Sequence, residues 1–300
     1  MPSPTPSPPV ARHSALAILL PVALTFAATL ACTTRLPADT PTPPAASPLP
    51  ATSPLPSAVP MRAIWHPAGR TTWQWQLAGT AIDQAVAADV YDIDAVSTAA
   101  NVVAALHAQG RKVICYINAG AQENWQPDAG RFPARVLGND YVGWPGEKWL
   151  DIRRIDLLGP ILQARLDVCR AKGFDGVEPD NVDGYGNNTG FPLTAADQIT
   201  YNTWFAGQAH ARGLSVGLKN DYEQVVPLLP YFDWALTEDC FAQGWCDQVR
   251  PFVVAGKAVF AAEYTDTGIT PAQFCPQAAT LGFNAILKRR DLDAWRATCP

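Results

Sequence analysis

The chain has 300 residues, 48% hydrophobic and 16% charged, with 28 prolines, seven cysteines and a formal net charge of −5. Such an acidic chain is a poor partner for nucleic acid, and no nucleic-acid role is expected. Net charge otherwise speaks to solubility and association, so it leaves neutral and cationic substrates open.

Residues 1–14 are polar and proline-rich, with Arg12 and His13, and residues 15–31 (ALAILLPVALTFAATLA) form one apolar block that ends in small residues at Cys32. This is the pattern of a secretory signal peptide, so residues 1–31 are read as a signal and the protein as exported, either secreted or held at the cell surface. The block falls short of the roughly 20 residues that a spanning helix needs, and Pro21 interrupts it. Cys32, directly after Leu30-Ala31, resembles the lipid-modified cysteine of bacterial lipoproteins, although Thr29 stands where that motif usually has Leu or Val. It is the lipid-anchor candidate; the alternative is ordinary cleavage that leaves an unmodified thiol.

Residues 32–60 are nearly all Pro, Ala, Thr, Ser and Leu, a composition that favours an extended chain and cannot assemble a core. At about 3.1 Å per residue this linker would reach some 80–90 Å. The folded part is expected over residues 61–300, about 240 residues, a size that suits a single α/β barrel.

Six cysteines follow Cys32, in an exported chain where disulfides are permitted. Cys240 and Cys246 are spaced to clip a short loop, and Cys275 with Cys299 to staple the C-terminus. Cys115 lies in an apolar strand and Cys169 in a helical stretch, where a bridge or two buried thiols are both open.

A repeated joint organises the domain. Ala108-Gln-Gly110, Ala171-Lys-Gly173, Ala211-Arg-Gly213 and Thr280-Leu-Gly282 each end a helix-like stretch, and each is followed by an apolar β-rich run: VICYIN, GVEPD, VGLKN and NAILK. Glycine suits the left-handed residue that closes a helix. Further strand candidates are WQWQL (73–77), VYDIDA (90–95), KWLDI (148–152), WALTE (234–238) and AVFAAEY (258–264). Strands alternating with helices over this length predict a (β/α)8 TIM barrel, in which one candidate is surplus or an extra strand.

In such a barrel the chemistry collects where strands end. Here those ends read Tyr116-Ile-Asn118, Leu150-Asp151, Glu178-Pro-Asp180, Lys219-Asn220, Thr237-Glu238 and Glu263-Tyr264. Asp92 and Asp94, ahead of Ser97, are read as helix caps. Absences prune the reaction classes. After the linker only Ser97 and Ser215 remain as serines, neither in a nucleophile elbow. His66, His107 and His210 offer no zinc spacing, and His107 and His210 lie at helix ends where a cation suits the dipole. The acidic run after Gly173 has Tyr185 where a calcium loop needs glycine. No metal or cofactor is expected, and what remains is carboxylate chemistry.

Two carboxyls facing one another across a cleft are the equipment for cleaving a glycosidic bond. Glu178 and Asp180 share a face if the strand stays extended, and Glu238 reaches the mouth from another strand end. Clustered like charges raise the pKa of at least one member, which keeps an acid protonated near neutrality.

The stretches "GVEPDNVDGY", "VICYINAG", "GWPGEKWLDIR", "GLKND", "ALTEDC" and "FAAEYTD" together resemble the glycoside hydrolases related to endo-α-1,4-polygalactosaminidase, family 114. The resemblance runs from about Trp73 to Ala294 and implies a (β/α)8 barrel. It also implies a galactosamine-containing polysaccharide as substrate, cut at α-1,4 linkages. Carried over by motif, the family's catalytic carboxylates fall on Asp180 and Glu238. The family commonly reads Asn-Glu-Gln-Cys where this chain has Thr237-Glu238-Asp239-Cys240. Glu178, Asp183, Asp151, Asn118, Asn220 and Glu263 are then expected to bind sugar hydroxyls or amines, with Lys219 balancing the acidic field. Tyr116, Trp144, Tyr185 and Tyr264 are expected to stack on sugar rings. A monomer is expected. Two rivals stand beside this reading: a Schiff-base lyase working through Lys219, and a tethered carbohydrate-binding protein without catalysis.

Overall fold

The β-rich runs become strands, and the glycine joints close the helices that lead into them. The computed structural model describes residues 63–79 and 81–299, so the signal segment, the linker and Cys32 lie outside the described residues. Strands β1 (Trp73–Gln76), β2 (Val90–Asp94) and β3 (Lys112–Asn118) are followed by an excursion of β4 (Ala121–Glu123), β5 (Leu137–Asp140) and β6 (Glu147–Leu150). The chain then forms β7 (Gly176–Asp180), β8 (Ser215–Lys219), β9 (Trp234–Glu238), β10 (Val259–Tyr264), β11 (Asn284–Lys288) and β12 (Arg296–Thr298). Helices α1 (Ala100–Ala108), α2 (Ile155–Lys172), α3 (Ala195–His210), α4 (Val225–Leu228), α5 (Cys240–Gln243), α6 (Arg250–Val254) and α7 (Pro271–Leu281) fill the connections.

The main sheet runs β1-β2-β3-β7-β8-β9-β10-β11-β12, parallel throughout except for β12. At the seam between β1 and β11, Trp73 Nε1 donates to the Asn284 carbonyl at 2.8 Å and Thr71 N to Asn284 Oδ1 at 2.9 Å. The result is a nearly closed (β/α)8 barrel. The surplus strand candidate is KWLDI: its first residues form β6, which pairs with β4 and β5 in a separate three-stranded antiparallel sheet.

Two apolar clusters hold the barrel. The larger packs the helices on the outer face of the sheet, and the smaller draws on alternate residues of the strands, the set that points inward. Trp73, Trp75, Trp234 and Phe260 fill that interior, with Phe260 centred 5.1 Å from Trp73 and 5.5 Å from Trp234. Gly217 on β8 makes room for this plug, since a Cβ there would come within 2.3 Å of the Trp234 ring. Aromatic packing therefore seals the barrel below its polar mouth.

The joints behave as the sequence predicts. Gly173 and Gly282 cap α2 and α7 in the left-handed region, at φ +92° and +75°. His107 and His210 do more than suit a dipole. His107 Nε2 lies 2.7 Å from Asp175 Oδ2 and His210 Nε2 lies 2.8 Å from Asp233 Oδ2. Each of these aspartates also accepts the amide of the second residue of a neighbouring strand, Val113 N for Asp175 and Val216 N for Asp233. Asp175 is thereby a strand-to-helix fastener on the side of the sheet away from the mouth. Three disulfides, Cys115–Cys169, Cys240–Cys246 and Cys275–Cys299, complete the frame, and the first settles in favour of a bridge between β3 and α2.

Candidate active site

Three neighbouring strands end in the same way. Asp180, Lys219 and Glu238 are the last residues of β7, β8 and β9, and the next residue of each, Asn181, Asn220 and Asp239, has φ between +53° and +60°. Asn and Asp tolerate this region better than other side chains, and Asn181 and Asn220 stay at the cavity wall. The cavity so framed measures about 540 Å³, and Asp180, Lys219, Glu238, Tyr264 and Tyr116 are among the residues that line it.

Lys219 is the centre of the site. Its ammonium lies 2.7 Å from Glu178 Oε1, 2.9 Å from Asp180 Oδ1 and 3.1 Å from Glu238 Oε2, and 4.7 Å from the centre of the Trp75 ring. Burial pulls the lysine down, but Asp180, Glu178 and Glu238 outweigh it and hold the amine well above the ordinary lysine range. A Schiff-base nucleophile must shed its proton, and this lysine is locked as a cation, which argues against the lyase rival.

Each candidate catalytic carboxyl has further donors. The Tyr116 hydroxyl donates to Asp180 Oδ2 at 2.9 Å. Asn220 Nδ2 donates to Glu238 Oε2 at 3.0 Å, and the Tyr264 hydroxyl donates to Glu238 Oε1. Burial would raise Glu238, but Lys219, Tyr264 and Asn220 together hold it below the ordinary glutamate value. Asp183 is pushed up to about 6, by burial first and then by the charge of Asp180.

Beneath this layer, Asp92 departs from the expected cap. It is fully buried inside the barrel, and Asp94 does not cap the helix either: its Oδ1 accepts Val96 N at 3.0 Å and Ser97 N at 2.6 Å in the turn ahead of α1, whose N-cap Ala99 has no side-chain cap. Burial and then the charge of Glu178 raise Asp92 well above the carboxylate range. Among the described residues neither Asp92 oxygen nor Glu178 Oε2 has a donor from another group, a need that one carboxyl proton shared between the two meets. Asp92 keeps that proton, because Lys219 stabilises the anion at Glu178.

Of the residues expected at the site, Asp180, Glu238, Lys219, Asn220, Asp183, Tyr116, Tyr264 and Trp144 come together around the cavity. The others serve as supports or lie outside its lining. Glu178 sits behind Lys219, and Asn118 Nδ2 holds Glu147 Oε2 at 3.1 Å. Asp151 is a correction: it follows the last residue of β6 in the side sheet, and Arg153 occupies both its oxygens at 2.7 and 2.9 Å. Glu263 is another, since its oxygens accept Phe241 N at 2.8 Å and Ala242 N at 3.1 Å and so cap the first turn of α5. Tyr185 points its hydroxyl to Glu223 Oε2 at 2.9 Å and does not line the cavity.

Sequence reasoning missed Glu123 and Glu147, which line the cavity from β4 and β6. A signal was there: "ENW" and "WPGEKW" each set a glutamate within three residues of a tryptophan. Burial raises Glu147 to about 7, helped by the charge of Asp180, and raises Glu123 to about 8, helped by Glu147.

Comparison with known proteins fits this geometry. The model of glycoside-hydrolase family GH114 matches residues 56–300. The crystal structure of Aspergillus fumigatus Ega3 in complex with galactosamine is 40% identical, covers 79% of this chain and 98% of its own, and superposes with a TM-score of 0.76. The glycoside hydrolase domain of PelA from Pseudomonas aeruginosa is 14% identical over 76% of this chain and 98% of that domain, with a TM-score of 0.59, and shares the fold. A Deinococcus radiodurans protein described as uncharacterized is 33% identical over 136 residues, and the match spans 42% of each chain. The protein is a glycoside hydrolase, and it belongs to glycoside hydrolase family 114.

Proposed function

We propose that the protein cleaves α-1,4-galactosaminidic linkages in a galactosamine-containing polysaccharide, with Asp180 and Glu238 as the catalytic pair. The observation that carries this reading is their meeting, from separate strands, on the one ammonium of Lys219. Likeness to Ega3, whose structure holds galactosamine, supports the choice of sugar.

The spacing favours double displacement. With Lys219 Nζ 2.9 Å from Asp180 Oδ1 and 3.1 Å from Glu238 Oε2, those two oxygens are at most about 6 Å apart. Single displacement needs roughly 6.5–9.5 Å to admit a water, and double displacement about 5–5.5 Å. One carboxyl therefore gives its proton to the departing glycosidic oxygen while the other attacks the anomeric carbon and forms a glycosyl ester. Water, deprotonated by the first group, then hydrolyses the ester and restores both.

Asn220, Asp183, Tyr116 and Tyr264 hold the pair or contact the sugar beside it, and Trp144 offers a ring face at the rim. Export through residues 1–31, lipid attachment at Cys32 and action as a monomer belong to the same proposal. Three disulfides are at home in an oxidising compartment and support its extracellular part.

The test incubates the purified domain with an α-1,4-galactosamine polymer and follows new reducing ends by mass analysis. The parent protein is expected to release oligosaccharides, and Asp180→Asn and Glu238→Gln to lose about 10²- to 10⁴-fold in rate. Release at the parent rate by both variants would show that the pair is misassigned. A parent that binds polymer but releases nothing would favour the non-catalytic rival.

A further inference from the structure

Arg290 stands in the loop after β11 and has none of the roles assigned so far, although it lines the cavity. Its guanidinium lies over the Tyr264 ring, 3.7 Å from the centroid. Two carboxylates fix it there. Asp266, in the turn after β10, accepts Nε at 2.9 Å and Nη2 at 2.8 Å, and Asp239, directly after β9, accepts Nη1 at 2.9 Å. Three consecutive strand ends are thereby tied together over one aromatic face.

The far end of that ring meets the candidate catalytic pair, since the Tyr264 hydroxyl donates to Glu238 Oε1. Burial and the charge of Glu238 hold the phenol well above its ordinary range, while Lys219 and Arg290 pull the other way, so Tyr264 stays protonated and remains a donor. A cation above the ring favours negative charge on the phenol and so strengthens the bond its proton makes. Glu238 also meets Lys219 and Asn220 from β8, with Asp180 across the lysine, and Asp183, Asp239 and Tyr141 lie within range of its charge. Arg290 answers the charge of Asp239, which otherwise opposes ionisation of its neighbour Glu238. Both routes from the guanidinium therefore favour the Glu238 anion.

We propose that Arg290 is a positioning residue for the cleavage reaction: clamped by Asp239 and Asp266, it seats the Tyr264 ring and strengthens the donor that orients Glu238. This rests on the assignment of Glu238 to the catalytic pair and goes beyond it. A direct grip on substrate is the weaker role, because Nε, Nη1 and Nη2 are already committed to carboxylates and galactosamine units are themselves cationic. A mere strap across the strand ends is the rival, and it predicts lost stability with an unmoved pH profile.

The experiment measures kcat/KM on an α-1,4-galactosamine oligosaccharide as a function of pH, with the melting temperature beside it. In the free enzyme, whichever limb of the profile Glu238 governs is expected to move to higher pH in Arg290→Gln, by on the order of half to one pH unit. Arg290→Lys, which keeps a cation but not the fork, is expected to fall between that variant and the parent. Asp266→Asn loosens the clamp and is expected to shift the same limb the same way by less, and it serves if Arg290→Gln does not fold. A lower melting temperature with both limbs unmoved reduces Arg290 to a strap and overturns the inference, leaving the galactosaminidase reading intact. A parent that cuts nothing overturns both.

Discussion

On the barrel side of the cavity, Glu178, Asp180 and Glu238 converge on the Lys219 ammonium within 3.1 Å, whereas on the side-sheet wall Glu123 and Glu147 face each other with no direct ion pair among the described residues. Both groups are withdrawn from water, and they differ in what surrounds the charge. Glu238 is held below its ordinary value by Lys219 and two neutral donors, while Glu147 and Glu123 rise to about 7 and 8. Burial alone therefore does not decide ionisation in this cleft. What stands around the carboxyl matters as much: Lys219, Tyr264 and Asn220 lower Glu238, whereas Glu178, deeper against Asp92, is raised to about 7 even with Lys219 beside it.

The largest expected effect breaks the first half of the comparison. Lys219→Met strips three carboxyls, of which Glu178 is fully buried, of their common buried partner, and removing one member of a buried ion pair costs about 3–5 kcal/mol. Urea denaturation should show that loss, and polymer cleavage should fall with it. A variant as stable as the parent would mean that the carboxyls already share protons without the lysine.

A second, smaller effect appears in the pH dependence of stability. Asp183, Glu147, Asp221 and Glu123 have folded values of about 6, 7, 8 and 8, above those of the unfolded chain. Between the ordinary carboxylate range and these values the folded protein holds protons that the unfolded chain has released. Their stabilising contribution is therefore full below the ordinary range and is lost as pH rises through 6 to 8. The melting temperature should decline from pH 5 to pH 9. A flat profile would contradict the reading of the wall.

The smallest effect sharpens the contrast. Glu123 is mostly neutral at pH 7, so Glu123→Gln should change stability there by less than about 1 kcal/mol and flatten the decline above it. Equilibrium unfolding of this variant at pH 7 and pH 9 checks the sign.

Much of the architecture could be read from local pattern. The Ala-x-Gly joints and the runs behind them became capped helices and parallel strands, because glycine's left-handed freedom and the two-residue strand period are properties of short segments. KWLDI could not be assigned by the same means, since a strand run does not reveal its partner. β6 pairs within the side sheet instead of the barrel. Asp151 and Glu263 misled for a related reason: a carboxylate at a strand end has the same local signature whether it faces a cleft, an arginine or the amides of the next helix. Asp92 looked like its neighbour Asp94, and the strand period puts both on the inward face of β2, but Asp92 lies a layer deeper, fully buried against Glu178, while Asp94 ends the strand at the cavity.

What the sequence by itself determined is the eightfold strand-and-helix alternation, the export signal pattern and the motifs that put acids and a lysine at the ends of successive strands. All of these depend on residues within a few positions of one another. Only the tertiary structure decided which acids share Lys219, which share a proton, and which face one another across the side sheet. Ionisation follows distances between elements far apart in the chain, and those distances exist only once the barrel has closed.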